Sequence, residues 1–147
     1  TVLVSKRLDR QAVYLEVLES PHSIRYSPKV GEFRPLHASA SGKALLGALV
    51  PATCNELLAG MKLPRVTSRT ITSRAALEAD LEQGRARGWY VTRGETVADL
   101  MAVAVPVAVN GEIYSVALAG PMHRMDAALK RHAKLLTELR VALEREA

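Results

Sequence analysis

Two apolar runs, Met101 to Val109 and Glu112 to Ala119, meet at Asn110-Gly111. That junction constrains the chain more than any other feature. Both central residues of a two-residue type I′ turn need positive φ, which Asn and Gly adopt at the least cost, so the pair predicts a β-hairpin. The turn also fixes the register. Val109 faces Glu112, and antiparallel pairing then sets Val107 opposite Tyr114, Val105 opposite Val116 and Val103 opposite Leu118. One face of the hairpin is bulky. The other carries Ala102 opposite Ala119 and Ala104 opposite Ala117, with Leu100 at one end and Pro106 and Ser115 at the other. This small-residue patch admits two readings. A helix can pack closely over it, or it can floor a pocket, since ligand sites are mostly apolar concavities with a few polar groups.

Elsewhere sheet and helix signals follow one another. Thr1 to Arg7 and Ala12 to Leu18 alternate and are rich in β-branched residues around Leu8-Asp9-Arg10-Gln11, which predicts a second hairpin. A strand at residue 1 is unusual in an intact domain and points to a boundary at a linker or to a domain upstream. Ile24 to Ser27 is a candidate short strand, before a loop broken by Pro28, Gly31 and Pro35. Ala40, Ala44, Leu45, Ala48 and Leu49 then recur at helical spacing after Ser39 and Ser41, either of which can cap the first turn. Pro51 stops that helix and opens another, Ala52 to Ala59. Ser73 is a plausible N-cap for a third helix, traced by Leu77, Leu81 and Gly84 and ended by Gly88, after which Trp89 to Thr92 returns to strand. Asp126 is expected to cap a long amphipathic helix whose apolar stripe is Leu129, Ala133, Leu136, Leu139 and Leu143. The order of elements predicts an α+β fold, an antiparallel sheet flanked by helices, in one domain over residues 1–147.

Composition removes several function classes. The chain of 147 residues carries 20 basic and 15 acidic residues, a net charge of +5, but the basic ones are spread along its whole length. Aromatic residues make up 4%, too few for the stacking platforms of RNA and single-strand binders. Met101 to Val109, interrupted by Pro106, falls far short of a bilayer span, and no membrane partner is expected. A single cysteine, Cys54, and no leader pattern fit the cytoplasm.

The chemical motifs fail in turn. Ser39 to Ala44 looks like a phosphate loop, but His37 stands where the first glycine belongs and Ala44 replaces the magnesium-binding hydroxyl. His22, His37, His123 and His132 lack metal spacing, so no metal or other cofactor is expected, and each reads as a surface or hydrogen-bonded histidine. Cys54 has no cationic neighbour in sequence, and Glu78 and Glu82 read as a solvated face beside Arg74 and Arg85. No catalytic residue is assigned. A small hydrolase using Ser39 or Ser41 with His37 is the enzymatic alternative, and it needs a base and an orienting acid that the sequence does not identify.

Leu36-His37-Ala38-Ser39-Ala40-Ser41-Gly42-Lys43-Ala44-Leu45-Leu46 closely resembles the signature of IclR-type bacterial transcription regulators. Tyr14 to His22, Arg87-Gly-Trp-Tyr90 and Ala117 to Pro121 match in the same order and spacing, so the resemblance covers nearly the whole chain. It implies a GAF/PAS-like effector-binding domain, homodimeric or homotetrameric, that senses a small-molecule effector. DNA would be reached only through an N-terminal winged helix-turn-helix domain absent from this chain. Carried over by position, the effector pocket would use Tyr26 from the third strand, Arg34, Ala40, Ser41, Thr92, Leu100, Ala102, Ala117 and Ala119. Ala40, Ser41 and Gly42 also place backbone N–H groups at a helix N-terminus, which favours a carboxylate and hence an organic acid. Lys43 is expected to be a solvated helix residue. Relatives that sense small hydrophilic acids often carry an acidic residue at the Thr92 position, cysteine at Ala102 and serine at Ala117 and Ala119. Their absence here implies a more apolar or aromatic acid. The alternative is a ligand-independent oligomerisation module whose alanine patch is filled by a helix.

Overall fold

A computed structural model describes residues 1–147. Its centre is a six-stranded antiparallel sheet in the order β3-β2-β1-β6-β5-β4. The strands are β1 (Val2–Leu8), β2 (Gln11–Leu18), β3 (Phe33–Pro35), β4 (Tyr90–Arg93), β5 (Leu100–Val109) and β6 (Glu112–Pro121). Helices α1 (Ala40–Gly47), α2 (Pro51–Gly60) and α3 (Arg74–Arg87) come between β3 and β4, and α4 (Met122–Ala127) and α5 (Leu129–Glu146) follow β6. The fold is α+β, as the order of sequence signals predicts.

The Asn-Gly turn holds the predicted register along its full length, from Val109↔Glu112 through Ala104↔Ala117 and Ala102↔Ala119 to Leu100↔Pro121. Asn110 and Gly111 both have positive φ, at 51° and 81°, as a type I′ turn requires. Each face of this hairpin has its own core. Val103, Val105, Val107 and Val116 pack with Met101, Met125, Ala133 and Leu136 on the α4–α5 side. Burying one such valine stabilises the fold by about 1.5–3 kcal/mol. The alanine face joins Leu3, Tyr14, Tyr90 and residues of α1, α2 and α3 in a second cluster. The molecule therefore has three layers, with the sheet in the middle.

Two expectations are corrected. Ile24–Ser27 forms no strand; the third strand is Phe33–Pro35, paired with Gln11–Val13 at the sheet edge. An edge tolerates Pro35, whose missing N–H has no ladder partner to lose. Asp126 lies inside α4 rather than capping α5, which begins after Ala128 with no side-chain cap. Asp126 instead faces Arg93 at 3.6 Å. The α5 stripe is also only partly covered: Ala133 and Leu136 are buried, while Leu139 and Leu143 are exposed.

Candidate functional site

The site is built at the N-terminus of α1. The Ser39 hydroxyl accepts from the Gly42 N–H at 3.0 Å and donates to the Pro35 carbonyl at 2.7 Å, so one side chain caps the helix and fixes the strand before it. Gly42 is required by closeness: a Cβ there would collide with the backbone of Leu36. Its N–H, donated to the Ser39 hydroxyl, is not free, contrary to expectation. The Ala40 and Ser41 amides, in contrast, take no backbone carbonyl and remain as donors at the positive end of the helix.

Those two residues open onto a small cavity between α1, the sheet and the β4–β5 loop. Leu3, Ala102 and Ala119 make its floor, Tyr14, Tyr26 and Arg34 one wall, and Thr92, Thr96, Val97 and Leu100 the other. The space is narrow. The cavity measures about 20 Å³, room for one or two waters at about 10–15 Å³ each. Thr96 gives its hydroxyl to the Ala38 carbonyl at 2.6 Å. Ser41 and Thr92 are buried in the lining, and no hydrogen bond within the chain engages either hydroxyl. The cavity is thus better supplied with polar groups than the alanines alone predict.

Tyr26 comes from the loop before β3 rather than from a strand, and its hydroxyl accepts from Arg34 Nε at 2.8 Å. Arg34 sits on β3, pairs with Glu32 at 2.9 Å, and lies over the rings of Tyr14 and Tyr26. Burial, reinforced by Tyr26, pushes the Tyr14 hydroxyl well above the usual tyrosine range, so it stays protonated.

Of the residues singled out in sequence, Tyr26, Arg34, Ala40, Ser41, Thr92, Leu100, Ala102 and Ala119 come together around the cavity. Gly42 and Ala117 do not reach it. Ala117 and Ala104 are fully buried in the core shared with Ala44 and Leu45 of α1, so the helix packs over that row of the patch. Sequence reasoning missed Tyr14, Leu3, Thr96 and Val97, and considered Ser39 as a cap or a nucleophile but not as part of the pocket lining. Inward alternation of Ala12 and Tyr14 along β2 was the available signal for Tyr14.

Lys43 is the largest correction. It is 1% exposed, and its Nζ bridges Asp80 on α3 at 2.6 Å and Glu95 in the β4–β5 loop at 2.7 Å. A buried ammonium needs such partners, and here they tie α1 both to α3 and to the loop that carries Thr96 and Val97. Burial raises the Glu95 carboxyl above its ordinary value, an effect that Lys43 only partly offsets.

The serine–histidine alternative lacks its geometry. His37 Nε2 bonds to the Pro64 carbonyl at 2.9 Å, and the Ser39 hydroxyl donates to Pro35. No hydrogen bond joins His37 to Ser39 or Ser41. Cys54 is buried and contacts Arg85 Nη2 at 3.6 Å, a cationic neighbour that only the fold brings near.

The family model for the bacterial transcriptional regulator IclR C-terminal region matches residues 1–144. The chain belongs to the IclR family. As an IclR-type effector-binding domain it is 36% identical over 118 residues to the HTH-type transcriptional regulator BhcR of Paracoccus denitrificans, covering 79% of this chain and 42% of BhcR. The crystal structure of Thermotoga maritima IclR superposes with a TM-score of 0.90 at 26% identity, over 99% of this chain and 60% of that one. An IclR homologue from Microbacterium hydrocarbonoxydans, solved with 4-hydroxybenzoate, superposes with a TM-score of 0.86 at 26% identity, over 98% and 59%. These relatives are named as regulators, not enzymes, and the GAF-like α+β architecture agrees with theirs. The chain spans less than half the length of the curated relatives it matches. No helix is long and apolar enough to cross a membrane.

Proposed function

We propose that this IclR-type domain, residues 1–147, binds a small organic acid, apolar or aromatic in its body, in the cavity above Ala102 and Ala119. The observation that carries the reading is the pairing of an apolar floor with unengaged donors at one place. The Ala40 and Ser41 amides, with the Ser41 and Thr92 hydroxyls, suit a carboxylate at a helix N-terminus. The floor suits a hydrocarbon body. The binding of 4-hydroxybenzoate by a structural relative is in keeping with this class of ligand.

Because the cavity is narrow, the acid enters by moving the β4–β5 loop outward, and the loop closes again through Thr96 and the Lys43–Glu95 pair. A ligand that prefers one arrangement of this loop shifts the populations of two assemblies of a homodimer or homotetramer. An N-terminal winged helix-turn-helix domain would then carry the change to DNA in the cytoplasm. Leu135, Leu139 and Leu143, exposed on α5, support an assembling surface.

Calorimetric titration and thermal melting with a panel of aliphatic and aromatic acids test the reading. At least one acid is expected to bind and to raise the melting temperature. Failure of every acid to do either overturns it and favours the ligand-independent assembly module, to which the helix-packed row at Ala104 and Ala117 already lends support.

A further inference from the structure

The tyrosine wall of the cavity holds a hydrogen-bond inventory that does not balance. Arg34 Nε donates to the Tyr26 hydroxyl at 2.8 Å, and the Tyr26 and Tyr14 hydroxyls lie 3.2 Å apart. Two phenols bring two O–H donors. Their mutual bond uses one, whichever way it runs, and the Arg34 contact uses none, because a guanidinium only donates. One O–H is left over. Both rings line the cavity, and no other acceptor within the chain is bonded to either hydroxyl.

The same wall carries no spare positive charge. Arg34 is balanced by Glu32 at 2.9 Å, and its remaining nitrogen, Nη1, is engaged by the Phe33 carbonyl at 2.8 Å. An anionic oxygen placed there would lose hydration without gaining a counter-charge. A neutral oxygen would simply accept the free O–H.

We infer that Tyr14 and Tyr26 recognise a neutral acceptor on the effector, a hydroxyl, keto or ether oxygen apart from its carboxylate. The cavity then selects oxygen-substituted monocarboxylic acids over plain hydrocarbon acids and over dicarboxylates. Arg34 is a positioning residue in this scheme: it holds the Tyr26 hydroxyl and lies over both rings. The inference rests on the cavity being an acid site.

Matched probes separate the two claims. The 147-residue domain is titrated with 3- and 4-methylbenzoate, 3- and 4-hydroxybenzoate, terephthalate, and the acyclic pair pentanoate and 4-oxopentanoate. At least one oxygen-bearing monocarboxylate is expected to bind about fivefold or more tightly than its hydrocarbon partner, the ordinary worth of one neutral hydrogen bond, and terephthalate more weakly than either. Tyr14→Phe and Tyr26→Phe each still leave one O–H, so each keeps part of the preference. The double variant loses it and binds the oxygen-bearing and methyl acids alike, a non-additive pattern that a packing role would not produce. Equal binding of oxygen-bearing and hydrocarbon acids by the wild-type domain overturns the inference and leaves the acid site standing. Absence of binding by every acid removes both. The wild-type comparison decides the matter even where a variant melts early.

Discussion

Two neighbouring rows of one alanine patch end in opposite states. Ala104 and Ala117 are sealed under α1, whereas Ala102 and Ala119, two residues further along the same strands, floor a cavity. Their side chains are identical. The difference lies in what covers them, because α1 begins at Ala40 and the sheet runs on past its end. Small residues under a helix body allow close approach; under a helix terminus they leave space, and that space faces the terminus's own unengaged N–H groups. A pocket of this kind is made by where a helix stops.

The largest expected effect tests what holds α1 in that place. Lys43→Met leaves Asp80 and Glu95 facing each other without their shared cation. Removal of one partner from a buried pair costs about 3–5 kcal/mol, and the lower figure is expected here because Asp80 is 24% exposed. Urea denaturation reads the loss. Hydrogen exchange should rise at residues 94–99, where the loop is released from α1, and an unchanged loop would show that Thr96 alone positions it.

The contrast between the rows is tested directly by one substitution in each. Ala117→Leu overfills a sealed site and should cost about 1–3 kcal/mol of stability. Ala102→Leu projects into the narrow cavity and can be accommodated by an outward shift of the β4–β5 loop, so it should cost less stability than Ala117→Leu and abolish acid binding. Equal destabilisation by both would mean that the open row is no more open than its neighbour. Within the open row, Ser41→Ala should weaken acid binding by about fivefold, one hydroxyl's hydrogen bond, without lowering the melting temperature. The same loss of stability as in Ala117→Leu would mark Ser41 as a packing residue.

The rows also show what a sequence can and cannot tell. Register was legible because Asn110-Gly111 fixes it locally, and every pairing from Val109 to Ala102 follows by alternation. Which alanine row would be covered was not, since that depends on the placement of α1 across the sheet, a tertiary fact. Lys43 shows the same limit. Its partners are distant in sequence, 37 and 52 residues further along, so nothing local distinguishes a buried lysine from a solvated one. Tyr26 was found through resemblance but assigned to the wrong element, because Ile24 to Ser27 looks extended while the real edge strand, Phe33–Pro35, is short and ends in proline. At α5 the break at Ala128 has no cap residue to announce it, and Asp126 imitates one.

The smallest effect concerns the loop that roofs the open row. Glu95 has a folded-state pKa raised above its ordinary value of 4.5, first by burial, with Lys43 pulling it only partly back. The folded state therefore binds a proton at Glu95 more readily than the unfolded chain does, and stability falls with pH between the two values. The contribution is fully present below 4.5, and it is lost as pH rises through the raised folded value, the reverse of an ordinary salt-bridged carboxylate. Glu95→Gln cannot titrate. The melting-temperature difference, wild type minus variant, should accordingly be greatest in acid and shrink as pH climbs past 4.5. A difference that instead grows with pH would mean that attraction to Lys43 outweighs burial, and the loop would then be held over the cavity by charge at neutral pH rather than by Thr96 and packing.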